Sequence, residues 1–261
     1  MKTLNPSLCR LPFCCRFVLA FLASGAMAWS QTQIVIVPGD LASTEGNINN
    51  VLPFDIAVIP LASERYQQVY DASLFSALPA GGALITGLSF RVDGTYGGSF
   101  SSTLPEIQLN LSTTGAGEET LSATFANNIG GNDTMVFARG SLPLSGTGGS
   151  SPNAFNVTIM FSQPFIYNPA AGNLLLDVRN FGGGTTTAFD AIQVPGDGIS
   201  RVITFTGLNV DSPVASMADT SGLVTEFIFQ PVPEPAVFAL AVLGLATLWL
   251  FHRSRRRLAA R

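Results

Sequence analysis

The chemistry open to this chain depends on carboxylates, hydroxyls and arginine. Between residues 29 and 230 there is no histidine, lysine or cysteine, because the single histidine is His252 and the single lysine is Lys2. A nucleophilic serine needs a base that titrates near neutral pH, and a catalytic zinc usually needs imidazole ligands. The composition therefore excludes serine triads and histidine-ligated zinc, and we expect no catalytic residues and no enzyme activity.

Paired carboxylates could still hydrolyse glycosides. The acids available for such a pair are Glu106, Glu118, Glu119, Asp177 and Asp190. No spacing in the sequence indicates two that converge. We expect Glu118 and Glu119 to form a solvated turn, and Asp177 to pair with an arginine or face solvent. Carbohydrate binding without catalysis is the other alternative, and the tyrosines it could use are Tyr66, Tyr70, Tyr96 and Tyr167.

The segment 29–230 is strongly acidic, with 16 acidic residues against five arginines and a formal charge of −11. Such a charge repels nucleic acid and anionic lipid, so no nucleic-acid partner is expected. Calcium is a natural counter-ion for an exported acidic protein. Its candidate ligands are the loop acids Asp40, Asp133, Asp197 and Asp219. No Asp-x-Asp-x-Asp loop supports this, so we expect no metal or cofactor, with a structural calcium ion as the open alternative.

Turn signals recur about every ten residues in this segment and predict many short strands. The predicted strands are 33–37, 56–59, 65–70, 84–92, 106–112, 134–138, 155–161, 173–179, 201–206 and 223–229. Several alternate with a period of two, as in Ile107, Leu109 and Leu111, which indicates half-buried strands. We therefore predict an all-β protein with one antiparallel, jelly-roll-like β-sandwich at 29–230, with a closed barrel or a β-helix as alternatives.

The N-terminal residues predict a secretory signal peptide at 1–28. Lys2, Arg10 and Arg16 precede the apolar run 17–23, and Ala26 and Ala28 supply the small residues of a signal peptidase site. Cleavage after Ala28 also removes all three cysteines, which are Cys9, Cys14 and Cys15. The mature chain then has neither a disulfide nor a thiolate metal site.

The C-terminal segment 231–261 predicts a membrane anchor. A short proline-rich stalk with the motif 232–235 leads into the uncharged run 236–251, which makes a helix of about 24 Å. The basic end 252–261 contains Arg253, Arg255, Arg256 and Arg257, which act as stop-transfer charges. These arginines place the C-terminus on the cytoplasmic side. The predicted precursor is therefore a single-pass protein with the segment 29–230, which we call the body, outside the membrane.

Together, the signal peptide, Pro233-Glu234-Pro235, the single apolar helix and the arginine cluster resemble a PEP-CTERM protein. The resemblance covers the tail alone, a segment that is sometimes labelled as an ice-binding C-terminal domain. It implies that Pro233, Glu234 and Pro235 are recognised by exosortase, a membrane transpeptidase of bacteria. It further implies transfer from the inner membrane to the cell surface or the medium.

The expected function is accordingly a structural or adhesive role in the cell envelope or extracellular matrix. The partners are signal peptidase, an exosortase-type transpeptidase, the membrane and extracellular polysaccharide. The alternative is a surface carbohydrate-binding module or a carboxylate-based glycoside-active enzyme. A third option is ice or mineral binding, which needs aligned threonine rows that the sequence does not repeat.

Overall fold

The computed structural model describes residues 31–59, 61–205, 207–232, 243–249 and 252. Residues Gln31–Val232 form one compact unit. Its described residues contain thirteen β-strands and five short 3-10 helices. The strands are β1 Gln33–Val37, β2 Ile48–Asn50, β3 Glu64–Tyr70, β4 Ala83–Phe90, β5 Phe100–Thr114, β6 Thr134–Gly146, β7 Val157–Tyr167, β8 Asn173–Asn180, β9 Phe189–Gln193, β10 Ile199–Ile203, β11 Met217–Asp219, β12 Ser221–Leu223 and β13 Thr225–Pro231.

The strands form three open sheets with antiparallel pairing. The four-stranded sheet has the order β1-β13-β4-β7, the six-stranded sheet β11-β10-β3-β8-β5-β6, and the three-stranded sheet β12-β9-β2. The predicted all-β, antiparallel class is confirmed.

One hydrophobic core joins the inner faces of the four- and six-stranded sheets. Ile107, Leu109 and Leu111 of β5 are fully buried in it, as their alternation predicts. The four-stranded sheet contributes Phe227, whose ring meets that of Tyr70 from β3 edge-on at 5.1 Å between centroids. Edge-to-face aromatic pairs of this kind add to the stabilisation from buried area. The two sheets are therefore held by shared side-chain packing.

The predicted strand 56–59 is wrong. Ile56–Val58 is a short 3-10 helix, in which Ile56 is buried and Val58 is exposed. Prolines at positions 53 and 60 flank this segment, and a proline cannot donate to a β-ladder. The apolar residues thus anchor a loop to the core instead of extending a sheet. The strands that the sequence did not predict are the short β2, β9, β11 and β12.

The segment 115–133 covers part of the outer face of the six-stranded sheet. The backbone N–H of Gly130 donates to the Ser112 hydroxyl at 3.1 Å, and Asn110 donates to Asp133 at 3.0 Å. A Cβ atom at Gly130 would lie 1.8 Å from the Thr113 carbonyl oxygen, so this approach requires glycine. Because of this cover, Asn110 and Ser112 are buried although they point away from the core.

Residues 243–249 are helical, and Leu243, Leu245, Leu248 and Trp249 are exposed. Within the described ranges, no helix combines the length and apolar character that a membrane crossing needs. The remaining residues of the predicted span 236–251 lie outside the described part of the chain.

Candidate functional site

The sorting and processing residues predicted from the sequence lie outside the described residues. They are Ala26, Ala28, Pro233, Glu234, Pro235, Arg253, Arg255, Arg256 and Arg257. Their assignments stay predictions. The candidate sites that the structure describes are all in the unit Gln31–Val232.

Each arginine of this unit lies against a carboxylate. The pairs are Arg65–Asp177 at 2.5 Å, Arg91–Asp190 at 2.5 Å, Arg139–Glu106 at 2.8 Å, Arg179–Asp177 at 3.8 Å and Arg201–Asp219 at 2.9 Å. Three acids of the predicted glycosidase set, Glu106, Asp177 and Asp190, are therefore arginine partners. The expectation that Asp177 pairs with an arginine is confirmed.

Arg65 and Asp177 belong to a buried polar network on β3 and β8. The Arg65 guanidinium donates twice to Asp177, at 3.1 and 2.5 Å, and lies 4.7 Å from the centre of the Phe125 ring. Gln67 donates to Asp177 at 3.0 Å and accepts from Asn128 at 2.9 Å. Phe125 and Asn128 come from the covering segment 115–133, so this network fastens that segment to the sheet. Its hydrogen bonds satisfy buried charge, which is a structural use of Asp177.

A second cluster brings Glu45, Asp93 and Asp190 together, with one oxygen of each within 4.8 Å of the others. The end of β4 and strand β9 meet at this cluster, because the backbone N–H of Asp190 in β9 donates to the carbonyl of Arg91, just after β4. Arg91 donates to Asp190 at 2.7 Å, and the Gly46 N–H donates to the other Asp190 oxygen at 2.8 Å. Burial raises the pKa of Asp190, and the charge of Arg91 opposes this effect.

All three acids of this cluster already accept hydrogen bonds. Asp93 accepts from the backbone N–H groups of Thr95 and Tyr96, while Glu45 accepts from the Gly94 N–H and the Ser151 hydroxyl. Three carboxylates are ligands that calcium can use, but here five of their six oxygens accept from backbone N–H groups, Ser151 or Arg91. Asp93-Gly94 is a turn signal in the sequence, but no local pattern indicates that Glu45, 48 positions earlier, contacts it.

A third site is a cavity of about 370 Å³ at the β10–β11 edge of the six-stranded sheet. Its polar lining includes Glu119, Ser200, Arg201, Asp219 and Thr220. Arg201 holds Asp219 through two parallel bonds of 2.9 and 3.0 Å. Two carboxylates and a guanidinium in one concavity can hydrogen-bond the hydroxyl groups of a polar ligand.

Glu64 of β3 is the least satisfied charged group near Arg201. It is fully buried, and neither carboxylate oxygen has a hydrogen-bond partner. Burial raises the pKa of Glu64 well above its ordinary value, while the charge of Arg201 acts against the rise. No sequence pattern indicates this residue, because it lies in a polar run, 64–68, that resembles an exposed strand.

Of the four loop acids named as candidate calcium ligands, three have partners that differ from one another. Asp133 accepts from Asn110, Asp219 is paired with Arg201, and Asp197 accepts from the Ile199 N–H at 2.9 Å. Asp40 is exposed. None of the four is in the acidic cluster formed by the described residues.

Glu118 differs from the solvated turn residue that the sequence predicts. It is half-buried and accepts from the N–H groups of Gly196 and Gly198 at 2.7 and 2.9 Å, so it fixes the loop 195–198. Glu119, its neighbour, is exposed. The correction follows from a contact between segments about 80 residues apart, which no local pattern encodes.

The tyrosines do not form a sugar-binding platform. Tyr66, Tyr70 and Tyr167 are fully buried in the core, and Tyr96 is the exposed one of the four.

Comparison of the chain with protein-family models and with curated proteins found no match.

Proposed function

We propose that this chain is an exported, non-enzymatic protein with a structural or adhesive role at the cell surface or in the extracellular matrix. The observation that carries the proposal is the pairing of each body arginine with a carboxylate. These pairs use acids to hold strands and loops together. The same body has no histidine or lysine that could act as a base near neutral pH.

The body is proposed to be a single jelly-roll-like β-sandwich that faces the outside of the cell. Two sheets with a common core support this architecture, since residues from β3, β5 and β13 pack between them. Such a body needs no disulfide, because the core contains more than thirty buried apolar residues.

The delivery route follows from the two ends of the sequence. Signal peptidase releases the chain after Ala28, and the segment 236–251 retains it in the inner membrane with the C-terminus in the cytoplasm. An exosortase-type transpeptidase then reads Pro233-Glu234-Pro235 and transfers the body to the surface. The uncharged span and the arginines that follow it support this order of events.

The test compares Glu234→Ala with the unaltered chain in its host, using membrane fractionation and intact-mass analysis. We expect the unaltered chain to leave the inner membrane with a mature form that begins near Trp29 and ends near Pro233. In the Glu234→Ala chain, the body should still cross the inner membrane. The chain should then remain anchored in that membrane, with its C-terminus still at Arg261. Glu106→Ala, at a half-buried body residue far from the motif in sequence, is the matched control and should be sorted normally. If Glu234→Ala reaches the surface, the motif has no sorting role.

A second candidate function is carbohydrate binding, favoured by the cavity that Glu119, Arg201 and Asp219 line. A broad glycan-binding screen tests it, with Glu119→Gln as the variant because Glu119 is exposed and lies outside the Arg201–Asp219 pair. Binding that weakens in this variant supports the candidate. A negative result across the panel rejects it.

A further inference from the structure

The outer face of the four-stranded sheet has several exposed apolar side chains. Ile34 on β1 is 54% exposed, Met160 on β7 is 57% exposed and Ile166 on β7 is 61% exposed. Leu84 on β4 and Ile228 on β13 are half-buried between them. We refer to these five residues as the apolar patch.

The strand register makes the patch continuous. Ile34 lies opposite Ile228, Ile228 opposite Gly87, and Gly87 opposite Met160, which forms one row across all four strands. The Met160 sulfur lies 3.0 Å from the position that a Cβ atom at Gly87 would take, so the Met160 side chain fills the place over this glycine. A second row places Leu84 opposite Ile166. Neighbouring strands are about 4.8 Å apart, so these side chains are in reach of one another.

This face has one charged residue, which lies beside the patch on β13. The strands β1, β4, β7 and β13 contain a single charged residue, Glu226, although the whole body has a formal charge of −11. Glu226 is half-buried, and burial raises the pKa of its carboxyl group, with a hydrogen bond from Ser89 opposing the rise. An apolar face without lysine or arginine does not attract anionic groups, and its contacts must come from apolar burial.

The face also contains the last strand before the predicted anchor. β13 ends at Pro231, where Gln230 lies opposite Leu84 of the patch and Leu84 lies opposite Ile166. Residues 232–235 separate this strand from the predicted span that begins at residue 236. Four residues reach at most about 14 Å when fully extended. The end of β13 must therefore stay close to the bilayer as long as the chain is anchored.

We propose that the apolar patch docks on the lipid surface of the membrane in the anchored precursor, with its side chains at the boundary between headgroups and acyl chains. The proposal rests on the anchoring tail of the proposed function. Each patch side chain then loses contact with water, and the removal of apolar surface from water is favourable. The tether raises the local concentration of lipid at the patch, so weak contacts suffice.

The test uses the full chain with Cys9, Cys14 and Cys15 replaced by serine, purified from a bacterial membrane and reconstituted in phosphatidylethanolamine–phosphatidylcholine vesicles, whose lipids have no net charge that would repel the acidic body. An environment-sensitive fluorophore is attached at Met160→Cys in one sample and at Met135→Cys in the other. Met135 is the matched control, because it is a methionine 47% exposed on β6 of the six-stranded sheet. Nitroxide-labelled lipids then quench any fluorophore that touches the bilayer.

We expect a blue-shifted emission at position 160 and at least about threefold stronger quenching there than at position 135, since an interfacial face sits some 5–10 Å into the headgroup region. Adding Ile34→Asp and Ile166→Asp should bring the quenching at position 160 down to the control level. The fluorophores at positions 160 and 135 could instead show the same emission wavelength, typical of a fluorophore in water, while alkaline carbonate fails to extract the chain from the vesicles. That result would overturn the docking proposal and leave the anchor in place. If the chain is washed out of the vesicles by alkaline carbonate, both the anchor and the docking proposal are overturned.

Discussion

The guanidinium of Arg91 and the carboxylate of Asp190 form an ion pair that is sealed from solvent, with a distance of 2.5 Å between Nη2 and Oδ2. The two residues are 99 positions apart and connect the end of β4 to β9. Arg91 also donates to the carbonyl of Thr44, so this pair holds the 44–46 loop in place as well. Removing one partner of such a pair leaves a buried charge without compensation.

Asp190→Asn should destabilise the fold by about 3–5 kcal/mol, because Arg91 then stays buried without a counter-charge. Asparagine keeps the shape and can still accept from the Gly46 N–H. Urea unfolding followed by circular dichroism measures the change. Glu106→Gln is the control, since it breaks the solvent-exposed Arg139–Glu106 pair and should leave stability unchanged. Equal effects of the two variants would show that the Arg91–Asp190 pair is not structurally important.

Glu64→Gln should stabilise the protein at pH 8. The carboxylate of Glu64 is buried without a partner, and burying such a group costs about 1–3 kcal/mol. Because the pKa of Glu64 is raised in the folded state, the folded protein binds the proton more tightly than the unfolded chain. Stability is therefore lost as the pH rises above the unfolded pKa, and glutamine removes this loss.

The measurement for Glu64 is the free energy of unfolding at pH 4 and pH 8. The gain from Glu64→Gln should be large at pH 8 and small at pH 4. A loss of stability at pH 8 would mean that Glu64 is ionised and stabilises the fold through Arg201.

Asp197→Asn should make stability less dependent on pH between about 4 and 6. Burial raises the pKa of Asp197 to about 6, the bond from the Ile199 N–H lowers it, and the charges of Glu118 and Asp40 raise it further. In this window the folded state holds the proton and the unfolded state has released it, so stability falls as the pH rises. Asp197 is partly exposed, so solvent screening keeps this contribution small.

Thermal unfolding of Asp197→Asn across pH 4–7 gives the comparison with the unaltered protein. Asp40→Asn is a milder companion variant, because it removes one of the charges that raise the pKa and leaves the Asp197 carboxyl in place. An unchanged pH profile in Asp197→Asn would assign the dependence to other groups, Glu64 first.

Millimolar calcium should not change the melting temperature by more than about 1 °C. The acids nearest to one another, Glu45, Asp93 and Asp190, already accept from backbone N–H groups, from Ser151 and from Arg91. An ion that binds the folded state at a concentration of 100 times its Kd would stabilise by about 2.7 kcal/mol. A rise of several degrees that disappears in Glu45→Gln would show a calcium site at this cluster.

The alternation in the sequence is enough to predict the strands that have one face in the core. Ile107, Leu109 and Leu111 of β5 are buried, and Val157 and Ile159 of β7 are buried beside the exposed Thr158 and Met160. Successive side chains of a strand point to opposite faces of the sheet. Apolar and polar residues therefore alternate in any antiparallel sheet with one buried face, and this alternation can be read from the local sequence. The boundaries were less accurate, since β5 and β6 extend well beyond the predicted segments.

The run 64–70 shows why local patterns fail in the middle of the six-stranded sheet. Every residue of β3 is buried although four of the seven are Glu, Arg or Gln. Segment 115–133 covers one face, and on the other face the Gln68 amide pairs with both backbone groups of Leu223 at 2.8 and 3.0 Å. Gln68 and Leu223 are 155 positions apart, so the burial of β3 depends on strands far away in the chain.

The sequence by itself determined the all-β class, the lack of histidine and lysine between residues 29 and 230, and the excess of acids there, because composition and period are read directly from the residues. It also supplies the predicted signal peptide, the Pro233-Glu234-Pro235 motif and the apolar span, which are read from the order of charge and hydropathy. The tertiary structure decided which acid meets which arginine, which tyrosines are buried, and that Ile34, Met160 and Ile166 share one exposed face. These are contacts between distant segments, and sheet topology and register fix them.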